Sequence, residues 1–108
     1  MNAPTTLGEY IAQVQQADVI PRPEGEDWSA LIARIGTPGQ IAAIDEETFW
    51  YFLEVLPPKY QRGGLFAFAE GADALRLFWR KGDCHFCRQL TWDETTDFCR
   101  LAHIPLPS

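Results

Sequence analysis

The spacing of apolar residues changes at Pro57-Pro58 and turns helical again only from Thr91, and that order limits the folds open to this chain. Before the prolines, apolar residues recur every three to four positions, the period of a helix with one buried stripe. After them they alternate, the period of a strand. Helical and strand periods kept in separate stretches point to an α+β domain rather than an alternating α/β one. The 108 residues are enough for one domain. A core of that size buries roughly two thirds of the surface exposed by the unfolded chain.

The helical half reads in three pieces. Thr6-Leu7-Gly8-Glu9 has the form of a capping box, and Leu7, Tyr10, Ile11 and Val14 follow at helical spacing. Pro21-Arg22-Pro23-Glu24-Gly25 reads as a linker. Trp28, Leu31, Ile32 and Ile35 then form one stripe, with Gly36 placed to end the helix. Residues from Thr37 to Ile44 carry no clear period. Asp45-Glu46-Glu47-Thr48 is a helix start, since Asp45 can cap and the two glutamates favour the positive end of the helix. Phe49 to Leu56 is apolar nearly all round, broken only by Glu54, which predicts a central helix packed on more than one side.

Beyond the prolines, Leu65–Ala69, Ala74–Arg80 and Cys84–Leu90 read as three strands joined by Glu70-Gly71-Ala72-Asp73 and Lys81-Gly82-Asp83. Thr91-Trp92-Asp93-Glu94 is a second capping box, opening a helix to about Ala102. The expected architecture is N-terminal helices plus a three-stranded antiparallel meander, closed by a C-terminal helix, with helices on one face of the sheet. A single domain spans 1–108, with an acidic helical layer at 1–44 added to a helix–sheet–helix core at 45–108.

Charge follows the same division. Residues 1–54 hold nine acids against Arg22 and Arg34, a balance of −7, whereas 55–108 hold seven bases against six acids. Twelve of the fourteen aromatic residues lie between Phe49 and Phe98, so most of the core comes from the less charged half. A net charge of −6 argues against a protein that coats nucleic acid, because phosphate affinity depends on summed positive potential. No apolar run approaches the roughly 20 residues of a membrane span. The segment MNAPTTLGEY has neither the basic start nor the apolar stretch of a secretion signal, and a cytoplasmic setting is expected.

Four residues have metal-ligand spacing: Cys84, Cys87, Cys99 and His103 fit a Cys₃His zinc pattern. Two facts oppose it. Cys84 and Cys87 point to opposite faces of a regular strand, and no glycine between them permits a knuckle. The expectation is therefore no cofactor, with zinc as the alternative and the cysteines as small core hydrophobes. Cys87 or Cys99 with His85 or His103 and Asp97 could be assembled as a nucleophile and base on paper. With three cysteines and two histidines that coincidence carries little, and no enzyme is expected. Arg76, Phe78, Arg80, Lys81 and Arg88 interleave cations with an aromatic on neighbouring strands, an alternative nucleic-acid face. The same residues suit a solvated sheet face whose long side chains cover apolar surface.

Glu24, Glu26, Asp27, Glu46 and Glu47 form the acidic surface expected to face a partner. A basic groove on another protein would be drawn to them, and charge complementarity raises association rate and selects the partner. The stretches Glu47–Pro58, Arg62–Gly71 and Phe86–Thr91 resemble a family of small proteobacterial proteins of unknown function, carried on plasmids and integrative elements. The resemblance covers roughly residues 45–105. It implies a bacterial mobile element, where accessory proteins and inhibitors of host defence are common. The resulting expectation is a non-enzymatic, acidic protein-binding module, its most concrete form an inhibitor of a CRISPR-type, nucleic-acid-guided complex.

Overall fold

A computed structural model of the chain describes residues 4–55, 60–62, 66–70 and 74–106. Along it run α1 (Leu7–Val14), β1 (Val19–Ile20), α2 (Trp28–Ile35), β2 (Ile41–Ile44), α3 (Glu46–Val55), β3 (Tyr60–Arg62), β4 (Phe66–Glu70), β5 (Leu75–Lys81), β6 (Cys84–Gln89) and α4 (Trp92–Ala102). The Pro57-Pro58 stop, Leu65 and the Gly71–Asp73 part of a turn lie outside the described residues.

The class is α+β, but the sheet is not a three-stranded meander. It is mixed, in the order β1-β2-β6-β5-β4-β3, with β1 contributing only two residues. The expected hairpins β4-β5 and β5-β6 are present and antiparallel. β2 adds to β6 antiparallel, and β1 pairs parallel with β2 through Val19↔Ile41 and Ile20↔Ala42. A parallel pair needs a crossover, and α2 supplies it. Val19-Ile20 and Ile41–Ile44 have no strand signature in the sequence because two to four apolar residues carry no period of their own.

Helices cover both faces of the sheet, where the sequence predicted one. On the first face, Phe68, Leu75, Leu77, Trp79 and Ile41 pack with Tyr10 and Val14 of α1 and Phe98 and Cys99 of α4. Phe98 stacks on Phe68 with ring centroids 3.8 Å apart, and Tyr10 and Tyr60 flank it at 5.8 and 5.4 Å. On the second face, Ala42, Ala69 and Cys87 are small, which leaves room for Phe78 of the sheet and for Phe49 and Phe52 of α3, beside Leu31 and Ile35 of α2.

The helix ends show why the elements begin where they do. Thr91 and Glu94 form a complete capping box: each backbone N–H is accepted by the other residue's side chain, at 3.2 and 3.0 Å. The box expected at Thr6 forms by half. The Thr6 hydroxyl accepts from the Glu9 N–H at 3.1 Å, while the Glu9 carboxylate turns to Thr5. Asp45 caps α3 as expected, accepting from the Thr48 N–H at 2.7 Å. α4 ends on His103, whose left-handed φ of 58° is uncommon for a residue with a Cβ. The Tyr10 hydroxyl donates to the Glu94 carbonyl at 2.7 Å and joins α1 to the start of α4. Burial first, and then the nearby Glu94 charge, push the Tyr10 phenol above its ordinary value, so it stays a donor.

Removing the Phe98 ring leaves a cavity between Phe68, Tyr10 and Tyr60. Phe98→Ala is expected to cost about 4 kcal/mol, and Thr91→Ala about 1 kcal/mol through the lost cap. Urea denaturation with an unchanged m-value checks both.

Candidate functional site

The residues expected to contact a partner or a metal fall in three places. For the Cys₃His set, Cys84 is exposed beside the β5-β6 turn, whereas Cys87 is buried on the second face among Phe49, Phe52 and Phe78. Cys99 is buried on the first face, and His103 is an exposed cap. The sheet lies between Cys87 and Cys99, so the four do not converge. Among the described residues no three His, Cys, Asp or Glu side chains group as metal ligands. Burial pushes the Cys87 thiol up to about 12 and raises Cys99 as well.

The basic-aromatic set is also divided. Arg76, Phe78 and Arg80 share the second face, as the alternation predicts, but that face is covered by α3 rather than solvated. Phe78 is fully buried and Arg76 nearly so. The Arg76 guanidinium lies 5.9 Å from the centre of the Phe52 ring and donates from Nε to Gln89 Oε1 at 3.1 Å. Arg88 is on the opposite face, ion-paired with Glu94, and so ties β6 to α4. Arg80 and Lys81 remain exposed near the β5-β6 turn. The five residues therefore do not make one surface.

The acidic residues do gather. A cleft of about 440 Å³ between the 22–27 loop and the start of α3 is lined by Arg22, Glu24, Glu26, Asp27, Trp28 and Asp45, among others. Glu46 and Glu47 are exposed in the first turn of α3, next to Asp45. Glu26 differs from the rest. It holds Arg34 through two bonds, Nε to Oε2 at 2.7 Å and Nη2 to Oε1 at 2.9 Å, and both side chains are under 10% exposed. It is a structural ion pair, not a partner-facing acid. Asp27 caps α2 by accepting from the Ala30 N–H at 2.8 Å, yet the residue stays exposed. Asp45 pairs with Arg22 at 2.7 Å in the open. Hydrogen bonds from Thr48, and then the Arg22 charge, hold its carboxyl below the usual range.

Beside these acids lies a surface the sequence did not reveal. Trp28, Ile32, Trp50, Tyr51 and Val55 are each 39–53% exposed. The expected stripe on α2 is only half buried, through Leu31 and Ile35, and α3 buries Phe49 and Phe52 alone. The expectation that α3 packs on more than one side holds in part: Phe49 and Phe52 pack on the sheet and Trp28 of α2 meets Tyr51 and Phe52, while Trp50, Tyr51 and Val55 stay half-exposed. The available signal was the excess itself, since a ten-residue helix apolar nearly all round carries more apolar surface than one face can bury.

No helix among the described residues is long and apolar enough to cross a membrane. No protein-family model, curated protein or solved structure matches the chain.

Two outcomes follow from this geometry. The Arg34 partner holds the Glu26 carboxyl below its ordinary 4.5, so the pair stabilises the fold fully above that pH and is lost as pH falls through the lowered value. Glu26→Gln should cost about 3 kcal/mol at neutral pH and should flatten the acid limb of a stability-against-pH curve. In native protein an aromatic disulfide reagent should titrate Cys84 rapidly, with Cys87 and Cys99 reacting only after denaturant is added.

Proposed function

We propose that the chain is a non-enzymatic protein-binding module whose acidic α2–α3 end engages a basic groove on a partner protein. The observation that carries this reading is the convergence of Glu24, Asp27 and Asp45 on one cleft, with Glu46 and Glu47 exposed in the turn that follows Asp45 and half-exposed aromatic side chains beside them. Acids spread for solubility alone would not need to gather, nor to border apolar surface. A scaffold of helices packed on both faces of one sheet lies beneath them and keeps the charges in place before contact, which lowers the ordering cost of association.

A basic groove of this kind is what a nucleic-acid-guided complex uses to hold its guide or target, and an acidic module seated there would exclude the nucleic acid. The role expected from the sequence resemblance of residues 45–105, an inhibitor of host defence acting in the bacterial cytoplasm, is the form of this proposal that we put forward.

The test is to capture the partner from a bacterial lysate at low salt and to measure its affinity for the intact chain. The comparison is a variant carrying Glu24→Gln, Asp27→Asn, Glu46→Gln and Glu47→Gln. Asn retains the capping oxygen at position 27. The variant should bind at least about tenfold more weakly at low salt, with the gap closing as salt screens the charges. Unchanged affinity at low salt would sink the acidic-surface mechanism.

A further inference from the structure

We infer that the apolar face made by Trp28 and Ile32 of α2 with Tyr51 and Val55 of α3 seats a segment of the partner protein whose apolar side chains are flanked by Lys or Arg. This rests on the protein-binding reading above and names the chemistry that completes it. Trp28 meets Tyr51 edge-on with ring centroids 5.5 Å apart and stacks on Phe52 at 5.7 Å, yet stays 53% exposed. A ring held by two neighbours and half open to solvent is an anchor that loses little freedom on binding. Ile32 lies one helical turn after Trp28, and Val55 one turn after Tyr51, so each helix carries an apolar stripe and the two stripes meet where Trp28 contacts Tyr51. Glu47 stands one turn before Tyr51, while Glu24 and Asp27 line the cleft that Trp28 also walls. An apolar centre inside a charged rim is the anatomy of a protein interface.

Charge selects the occupant. A second copy would bring two acidic rims together on chains that each carry −6, and anionic lipid or nucleic acid would meet the same repulsion. A cation-flanked apolar segment satisfies the centre and the rim together.

The experiment measures fluorescence anisotropy of three labelled peptides with the intact chain: an amphipathic Lys/Leu helix, the same peptide with every Leu replaced by Ser, and a Glu/Leu counterpart. Binding of the Lys/Leu peptide should exceed that of each of the others by at least about tenfold. Ile32→Ser and Val55→Ser, at exposed positions, should each weaken it severalfold while leaving the melting temperature within a degree or so. Equal binding of the Lys/Ser peptide overturns the apolar seat but leaves the acidic-surface reading standing. Equal binding of the Glu/Leu peptide overturns the cationic occupant. No binding, or affinity unchanged in both variants, overturns the inference. A dimer seen by sedimentation and lost in Val55→Ser would replace it with self-association. Loss of partner affinity on acid neutralisation is read separately, so failure of this inference and failure of the function proposed above remain distinguishable.

Discussion

Arg34 is the side chain on which the N-terminal half is assembled. From α2 it donates to the Glu26 carboxylate twice and to the Ala43 carbonyl of β2 at 2.7 Å, with a longer 3.4 Å contact to the Ile20 carbonyl of β1. One guanidinium thus joins the 22–27 loop, both strands of the parallel pair and the helix that crosses between them. Its planar fork has donors enough for these partners, which a lysine ammonium would not reproduce. Because β1 is only two residues long, its few ladder bonds are a weak hold by themselves. The Arg34 contacts hold the loop bearing Glu24 and Asp27 to α2 and the parallel strands, and Arg22 ties the same loop to Asp45 at the start of α3.

The two faces of the sheet solve the packing problem differently. The first face is filled by large rings, with Phe68 and Phe98 stacked and Tyr10 and Tyr60 around them, so α1 and α4 are joined through side chains that reach far from the sheet. The second face pairs small sheet residues with Phe49 and Phe52, and α3 settles close to β6. That close seating leaves the far side of α3 only partly covered, by Trp28 of α2. Tyr51 and Val55 remain at the surface for this reason, and with Trp28 they give the acidic end an apolar centre.

Several features were legible before the fold was known. The cap residues Asp45, Thr6 and Thr91 start helices where their side chains accept a free N–H, and that signal is local. The β5-β6 hairpin was legible because Gly82 takes the positive φ of 63° that a tight turn needs. The grouping of acids was legible in part: Glu24 and Asp27 line one cleft with Asp45, which directly precedes Glu46 and Glu47. Glu26 could not be told from them, because its partner Arg34 lies eight residues away on the next helix, and only folding brings the two within hydrogen-bond distance. Arg76 misled for a related reason: alternation places it on its face correctly but does not say whether a helix lies above. Arg88 misled because the strand register, which the sequence does not show, sets it opposite Leu77 rather than Arg76.

Local chemistry in the chain therefore decided the class, the cap positions, the hairpins and the concentration of acid in the first half, since each depends on residues within a turn or two of one another. The tertiary structure alone decided that Val19-Ile20 and Ile41–Ile44 extend the sheet, that helices cover both faces, and that Cys87 and Cys99 are kept apart. It also turned Glu26 inward and left Trp28 and Tyr51 outward. Those outcomes depend on which surfaces are left to meet once every strand is paired, a competition between distant segments that no local pattern records.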